Sequence, residues 1–382
     1  METLKTGSHY IWSIVLFVFA LAASCGQKET GNQEETAAWP GHKSWEMGPF
    51  VKQNAANPVL LPGALEFLCP ILEESVKWEE KDVFNPAAVV KDGQINLLYR
   101  AEDFLGSNNG TSRIGLALCE DGLNFEKLSE PVFYPENDSL KHLEWDGGVE
   151  DPRIVESEDG QYIMTYTSYD GEVARLMLAT SPNLKDWTKY GRVLKGDFKD
   201  SWSKAGAIVA VREGERIIAK KINGRYWMYF GDTDLFLAHS EDLLHWVPLE
   251  TNGALKPVMK PRPGYFDSRL VESGPYALLR NEGIVLLYNG MNLEEGQELD
   301  PSLPPGAYSA GQALFDGDDP SKLIDRSETY FMTPEEPYEI EGQVNLVCFI
   351  EGMVPYNGSW FLYYGTADSK IAAAVYEETD MR

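Results

Sequence analysis

The chain has 382 residues, of which 43% are hydrophobic and 24% are charged. This usage is typical of globular proteins and excludes a disordered or fibrous chain. Acidic residues outnumber basic ones by 60 to 33, for a net charge of −27. That balance argues against binding nucleic acid or anionic lipid through charge, because such sites need a basic surface. The 19 Tyr, 10 Trp and 34 Gly suit short strands joined by turns, and a cleft with flat apolar walls in which a sugar binds.

The N-terminal segment has the features of a bacterial lipoprotein signal. Residues 11–23 form an apolar stretch with one serine, too short for a bilayer span of about 20 apolar residues. Small residues then lead directly to Cys25. We therefore predict that residues 1–24 are a signal peptide, that Cys25 is lipidated, and that residues 25–45 form a flexible tether at the cell envelope, periplasmic or surface-exposed. The alternative is ordinary secretion with an incidental cysteine.

The other cysteines predict neither a disulfide framework nor a metal site. Cys69, Cys119 and Cys348 each lie in an apolar context, and three thiols cannot all pair with one another. The sequence contains no Cys-x-x-Cys, no His-Glu-x-x-His and no glycine-rich nucleotide-binding motif. We therefore expect buried free thiols, no metal and no cofactor.

One strand pattern recurs five times. Each copy has a turn containing Gly or Asn-Gly, an alternating apolar strand and a tyrosine near its end, and a second strand follows. Separations of 67, 63, 59 and 76 residues divide the five tyrosines, which are Tyr99, Tyr166, Tyr229, Tyr288 and Tyr364. Two hairpins per repeat predict an all-β domain over residues 46–382, folded as a five-bladed β-propeller. A β-sandwich is the alternative, but its strands recur at shorter intervals.

In a propeller the inner strands converge at one end of the central channel, so that polar strand ends distant in sequence meet there. The densest polar segment is Trp145–Arg153, WDGGVEDPR. Because neighbouring side chains on a strand point to opposite faces, one of Glu150 and Asp151 can face the channel while the other braces the scaffold, held by Arg153. A surface turn with a salt bridge explains the same residues equally well.

Six short motifs follow one another along the chain from about residue 50 to the C-terminus. They are Phe84-Asn85-Pro86, Tyr99-Arg100-Ala101-Glu102-Asp103, Ser112-Arg113-Ile114-Gly115, Gly148-Val149-Glu150-Asp151-Pro152-Arg153, Tyr166-x-x-Tyr169-Asp170-Gly171 and Tyr364-Gly365-Thr366-Ala367-Asp368. Together they resemble glycoside hydrolase family 130, the β-mannoside phosphorylases and β-mannosidases. The resemblance implies a five-bladed propeller, in agreement with the repeat count.

The resemblance also implies residue roles. Asp151 matches the family's catalytic acid, which passes its proton to the glycosidic oxygen through the 3-hydroxyl of the mannose in the −1 subsite. Carboxylates and guanidinium groups bond well to vicinal hydroxyls. The structural alternative for each pocket residue is a buried ion pair. The positions that match the mannose pocket are Asn85, Arg100, Asp103, Arg113, Tyr169, Asp170 and Asp368.

Phosphorolysis and hydrolysis both invert the anomeric carbon, but they need different groups opposite the leaving group. A phosphorylase needs cations, and Arg175 and Lys221 match basic positions of the family. A hydrolase needs a base across the sugar from the acid. The chain differs from the phosphorylases of the family at three points. Where their strand motif ends in a His-Arg pair, this chain has Tyr229-Phe230-Gly231-Asp232. Asn289 stands in place of a His, and Glu272 lies in a segment that is usually small and neutral. The added carboxylates would repel phosphate.

Glu272 is therefore predicted as the catalytic base, with Asp232 as the second candidate. The structural alternative for Glu272 is an ion pair with Arg269. Trp145, Trp202 and Tyr308 are candidate walls for the aglycone side, because apolar sugar faces stack on aromatic rings.

Taken together, these residues predict a lipid-anchored inverting β-mannosidase that acts on mannose-containing oligosaccharides, with β-1,2 linkages as candidates. The membrane would be contacted through the lipid alone, and no nucleic acid is expected. One alternative is a β-mannoside phosphorylase that releases mannose 1-phosphate. The other is a glycan-binding surface lipoprotein without catalytic activity.

Overall fold

The computed structural model of the chain is built almost entirely from β-strands, and it describes residues 41–107 and 110–378. The predicted signal peptide, Cys25 and most of the tether lie outside the described residues. Within them, helix is limited to α1 (Lys141–Glu144), α2 (Pro337–Ile340) and a 3-10 turn (Gly196–Phe198). None of these is long and apolar enough to cross a membrane. The prediction of an all-β protein is confirmed.

The first half of the described chain contains two antiparallel meanders. Before them lie β1 (Val51–Lys52) and a separate hairpin of β2 (Glu66–Cys69) and β3 (Glu74–Lys77). The first meander pairs in sequence order β4 (Asp82–Lys91), β5 (Gln94–Glu102), β6 (Ser112–Cys119) and β7 (Glu126–Lys127). The second pairs in the same way β8 (Gly148–Glu156), β9 (Tyr162–Tyr169), β10 (Ala174–Ser181) and β11 (Thr188–Arg192).

The second half repeats the arrangement with more interruptions. The third group contains β12 (Ala207–Glu213), β13 (Arg216–Ala219), β14 (Tyr226–Phe230), β15 (Leu235–Ser240), β16 (Trp246–Pro248), β17 (Glu250–Thr251), β18 (Ala254–Leu255) and β19 (Pro257–Met259). The fourth contains β20 (Leu270–Ser273), β21 (Ala277–Arg280), β22 (Gly283–Met291), β23 (Tyr308–Phe315) and β24 (Leu323–Arg326). The last contains β25 (Cys348–Tyr356), β26 (Ser359–Thr366) and β27 (Lys370–Glu377). Its fourth strand is β1, which pairs with β27, so that both ends of the described chain share one sheet.

Tight turns join the first two strands of several groups, as the Asp-Gly and Asn-Gly pairs predict. Asp92 and Gly93 connect β4 to β5 with φ of 54° and 76°. Asn357 and Gly358 connect β25 to β26 with φ of 50° and 83°. Both residues of each turn adopt positive φ, which Gly and Asn tolerate and which matches the twist of the flanking strands.

The five recurring tyrosines are fully buried and lie on equivalent strands, β5, β9, β14, β22 and β26. The hydroxyl of Tyr229 donates to the carbonyl oxygen of Pro320, whereas each of the other four donates to a buried carboxylate. In three cases a lysine from the outermost strand completes the group. We name these the peripheral triads: Tyr99–Glu79–Lys127, Tyr166–Glu144–Lys189 and Tyr364–Glu339–Lys52. The repeat seen in the sequence thus recurs in the buried polar contacts.

Candidate active site

Asp151 lies on β8 in a β-bulge, where the pairing register with β9 shifts between Glu150 and Arg153. Its φ is 48°, an uncommon conformation for a residue with a side chain. The carboxylate is buried, and its Oδ1 accepts hydrogen bonds from Asn85 Nδ2 (3.0 Å) and Arg100 Nη1 (3.1 Å). Burial alone would raise the pKa of Asp151, but Arg100 and Lys204, a partly buried lysine described below, hold it below its usual value.

Asn85 occupies the corresponding bulge of β4, again with positive φ, 43°. Its Oδ1 is buried and forms no hydrogen bond with the described residues. The neighbouring Gly365 makes room for it, because a Cβ at that position would lie 2.3 Å from Asn85 Oδ1. The amide therefore supports Asp151 with its nitrogen and leaves an acceptor for a hydroxyl group.

Arg100 joins three carboxylates with one guanidinium group. Its nitrogens lie 2.7 Å from Glu102, 3.0 Å from Glu150 and 3.1 Å from Asp151. Burial and the charge of Asp151 raise the pKa of Glu150, against the effect of Arg100. Strand alternation predicts opposite directions for Glu150 and Asp151, but the bulge brings both to Arg100. The prediction that Arg153 holds the bracing carboxylate is wrong, because Arg100 pairs with Glu150.

Glu272 lies on β20 and is almost fully buried. Burial raises its pKa to about 7; Asp232 and Asp151 also raise it, while Lys204 lowers it. Its Oε1 forms no hydrogen bond with the described residues. The alternative partner, Arg269, is exposed, and no ion pair joins it to Glu272 within the described part of the chain.

Lys204 is the site residue that sequence reasoning missed. Its Nζ lies 3.5 Å from Asp151 Oδ2 and 3.4 Å from Glu272 Oε1, between the two carboxylates. Burial lowers the pKa of Lys204, but Glu272, Asp151 and Asp232 outweigh it and raise the pKa well above its usual value. The only local signal is a lysine among small residues, Ser203 and Ala205, just before β12.

Asp232, Trp202 and Tyr308 surround the same cluster. The indole Nε1 of Trp202 donates to Asp232 Oδ2 (2.7 Å), while 54% of the tryptophan is exposed. Burial raises the pKa of Tyr308, and the charges of Glu272, Asp368 and Asp232 raise it further. Asp232 therefore lies at the rim, beside an exposed aromatic ring. Trp145 packs against an apolar cluster of the first meander instead.

Asp368 follows β26 in a turn where Ala367 and Asp368 both have positive φ, 47° and 49°. Burial raises its pKa to about 7; Arg100 lowers it and Asp151 raises it. The same arginine and the same carboxylate therefore act electrostatically on Asp368 and on the other site residues. The structure brings Asn85, Arg100, Asp151, Asp232, Glu272 and Asp368 into one cluster around Lys204.

Asp103 and Arg113 form a buried pair with 2.6 Å between Oδ2 and Nη1. Asp103 Oδ1 accepts from the backbone N–H groups of Leu105 and Thr111. Both carboxylate oxygens thus have protein donors, and the contacts favour the structural alternative, an ion pair that braces the following loop. Their predicted contact with sugar stays a prediction.

Arg175 is held by two carboxylates, Asp170 at 2.6 Å and Asp200 at 3.2 Å. The hydroxyl of Tyr169 donates to the carbonyl oxygen of Gly171, and its ring meets that of Trp202 edge to face, with centroids 6.5 Å apart. Tyr169 therefore borders the rim of the site. The two carboxylates neutralise Arg175, which weakens its case as a phosphate ligand.

Lys221 does not belong to the cluster. It is exposed, precedes β14 and stacks on the ring of Tyr226, with Nζ 4.9 Å from the centroid. Asp232 follows β14, so Lys221 lies at the other end of this strand from the site. The assignment of Lys221 as a site cation is wrong, and Lys204 is the partly buried lysine beside the carboxylates.

Comparison with known proteins places this arrangement in a family. The glycoside hydrolase 130 model, described as beta-1,4-mannooligosaccharide phosphorylase, matches residues 70–381. A 1,2-beta-oligomannan phosphorylase of Thermoanaerobacter sp. (strain X514) is 32% identical over 87% of this chain and 99% of its own length.

Solved structures agree. A glycosyl hydrolase from Bacteroides ovatus is 45% identical, with a TM-score of 0.85 over 88% of this chain and 96% of that chain. The same values hold for a structure described as showing that the family of mannoside phosphorylases contains glycoside hydrolases that target beta-1,2 mannosidic linkages in Candida mannan. The chain is thus a glycoside-active enzyme, and it belongs to glycoside hydrolase family 130.

Proposed function

We propose that the protein is an inverting β-mannosidase that hydrolyses β-1,2-mannosidic linkages, with Asp151 as the acid and Glu272 as the base. One observation carries the proposal. Two buried carboxylate oxygens, Asp151 Oδ2 and Glu272 Oε1, flank Lys204 Nζ and form no hydrogen bond with the described residues. Buried polar atoms are rarely left without partners, so such atoms in a cluster suggest that a ligand completes them.

The spacing of the carboxylates is compatible with attack by water. Both oxygens lie within 3.5 Å of one nitrogen, so they are at most about 7 Å apart, and the upper end of this range reaches the roughly 6.5 Å at which inverting hydrolysis begins to admit a water molecule. The water oxygen bonds to C1 and its proton passes to Glu272. The bond from C1 to the glycosidic oxygen breaks, and that oxygen receives the proton of Asp151 through the 3-hydroxyl of the sugar.

In the free protein, Asp151 and Glu272 prefer the same protonation states that one turnover leaves them in. Turnover leaves Asp151 ionised and Glu272 protonated. The free site has the same preference, because the pKa of Asp151 is held below its usual value while burial raises that of Glu272 to about 7. A sugar hydroxyl that binds Asp151 Oδ2 and separates it from Lys204 favours return of the proton to Asp151.

The charges near C1 disfavour phosphate as the nucleophile. A phosphate beside Lys204 would meet Glu272 and Asp232, which both raise the pKa of this lysine by their negative charge. Arg175 is already paired with Asp170 and Asp200. A phosphorylase is the second candidate, because the Thermoanaerobacter relative is described as a phosphorylase. Linkage to position 2 is supported by the descriptions of that relative and of the hydrolase-containing group.

The test is incubation of the protein with β-1,2-mannobiose, with and without inorganic phosphate. Mannose released without phosphate supports hydrolysis. Mannose 1-phosphate formed only with phosphate would establish phosphorolysis, and binding without turnover would establish a glycan-binding protein. A single-turnover reaction in H₂¹⁸O, followed by NMR before mutarotation, should show α-mannose as the first product.

The proposal also covers the domain architecture of the protein and its location in the cell. The strand groups and the buried tyrosines at equivalent strands support a five-bladed propeller around the Lys204 cluster. Lipidation of Cys25 and anchoring at the cell envelope remain proposals from the sequence. Metabolic labelling with a palmitate analogue tests them, since wild type should be labelled and Cys25→Ser should not.

A further inference from the structure

Arg153 lies on β8 two residues after Asp151 and is buried, with 3% of the residue exposed. Its guanidinium group reaches β20, where Nε donates to the carbonyl oxygen of Gly274 and Nη2 to that of Ser273, both at 2.7 Å. These two carbonyl groups follow Glu272 directly in the chain. One planar group on the strand of the acid therefore holds the backbone that carries the base.

No backbone ladder performs this task in the described residues. Strand β8 pairs with β9 and contacts β6 and β13 through single bridges. Strand β20 pairs with β22. In the described residues the strands of Asp151 and Glu272 therefore do not pair with each other directly, and the two hydrogen bonds of Arg153 connect them. The planar guanidinium group of arginine has donors in a fixed geometry, so it sets the distance between two strands better than the flexible ammonium group of lysine does.

A third strand, β25, also contacts the guanidinium group of Arg153. Nη1 lies 3.4 Å from the carbonyl oxygen of Asp151 and 3.5 Å from Oε1 of Glu351 on β25. Neither carboxyl oxygen of Glu351 forms a hydrogen bond with the described residues. Burial raises the pKa of Glu351 well above its usual value, although Arg153 lowers it. The positive charge of Arg153 also lowers the pKa of Asp151 and of Glu272.

We propose that Arg153 is a positioning residue that sets the separation of the Asp151 and Glu272 carboxyl groups, so that one water molecule fits between the base and C1. The proposal rests on the hydrolytic function proposed above. It concerns the scaffold under the site, because the described contacts of Arg153 are to backbone carbonyls and Glu351 rather than to the open side of the cluster.

The test compares Arg153→Lys with Arg326→Lys. Arg326 is also buried and also donates to a backbone carbonyl, that of Lys260, but it lies on β24 and pairs with Asp267. We expect Arg153→Lys to lower kcat about 100-fold or more, as roughly 1 Å of misplacement does, with KM changed less than threefold. Arg326→Lys should lose comparable stability and keep the wild-type kcat per folded molecule.

The pH dependence provides a second readout, from Arg153→Gln. The groups that face Glu272 are Lys204, Asp232, Asp151, Glu351 and Tyr308, and they are unchanged in this variant. Loss of the positive charge should raise the pKa of Glu272 and move the alkaline decline of kcat/KM to higher pH. Folding is checked by circular dichroism and rates are expressed per folded molecule.

The outcomes separate the two proposals. Wild-type protein that needs phosphate for turnover would overturn the hydrolytic function. Hydrolysis by wild type with unchanged kcat in both Arg153 variants would overturn the positioning role alone. Equal loss of kcat in Arg153→Lys and Arg326→Lys would also overturn it, because general destabilisation would then explain both. If neither Arg153 variant folds while Arg326→Lys does, Arg153 is a folding residue and the proposal is wrong.

Discussion

The protein buries carboxylates beside cations in two regions, at the peripheral triads and in the central site, and treats them differently. In the triad of Glu79, Oε2 accepts from Tyr99 (2.8 Å) and Lys127 (2.9 Å), and Oε1 accepts from Lys127 (3.0 Å). In the central site, Lys204 stands 3.4 Å and 3.5 Å from its two carboxylates, and one oxygen of each has no hydrogen bond in the described structure.

This difference separates structural charge from functional charge. A satisfied buried pair fixes the position of a loop against a sheet, and it offers nothing to a ligand. An incompletely bonded carboxylate costs stability in the empty protein, and the cost is recovered when a ligand supplies the missing donors. Burial by itself is common to both regions, so the completeness of the hydrogen bonding is the useful distinction.

The largest expected effect comes from Asp151→Asn. The amide cannot supply the proton, so kcat/KM for β-1,2-mannobiose should fall at least 10³-fold, within the range attributed to general acid catalysis plus electrostatics. Binding of mannose should persist because Asn85, Arg100 and Asp368 are retained, and isothermal calorimetry measures it. A variant with more than a tenth of the wild-type rate would contradict the assignment of the acid.

Glu272→Ala should lower hydrolysis about 10²–10³-fold and leave Lys204 beside an empty space. A small anion such as formate or azide should then restore part of the rate, since the lysine attracts it to the position of the missing carboxylate. With azide, the product should be α-mannosyl azide, which mass spectrometry and NMR identify. If Asp232→Ala shows the rescue and Glu272→Ala does not, the two candidate bases must be exchanged.

The pH dependence of kcat/KM tests whether the two carboxyl groups share one proton. Against burial, Arg100 and Lys204 hold the pKa of Asp151 below its usual value, while burial raises that of Glu272 to about 7. Between these values the pair carries one proton, which the reaction needs on Asp151. The rate should therefore be level from the pKa of Asp151 up to about pH 7 and fall about tenfold per unit above it. A rate that rises through pH 7 to a plateau would contradict this account.

The smallest effect on catalysis is expected for a peripheral triad. Lys127→Met leaves the buried charge of Glu79 without its cation, so the free energy of unfolding should drop by about 3–5 kcal/mol. Because the triad lies away from Lys204, kcat per folded molecule should stay within twofold of wild type. Urea denaturation followed by tryptophan fluorescence measures the first quantity. A loss of kcat comparable to that of the site variants would remove the distinction between the two regions.

Local chemistry was readable from the sequence because it depends on neighbouring residues. Turns such as Asp92-Gly93, the alternating strands and the five buried tyrosines follow from backbone preferences and apolar periodicity. The motif around Asp151 was recognisable for the same reason. Glu272 was selected by an unusual charge in a short segment, and the structure places it across Lys204 from Asp151.

Contacts between distant segments decided the rest. Lys204 and Lys221 are both lysines near strands of the third group, and only the folded chain puts one between two carboxylates and the other at the far strand end. Arg153 was expected to hold whichever of Glu150 and Asp151 braces the scaffold, but Arg100 pairs with both carboxylates and Arg153 bonds to the backbone of β20 and the residue after it. The sequence by itself therefore determined the strands and their turns, and it identified Asp151 as the candidate acid. The tertiary structure decided which charges meet, because each such meeting depends on the relative positions of whole strands and on where a bulge redirects a side chain.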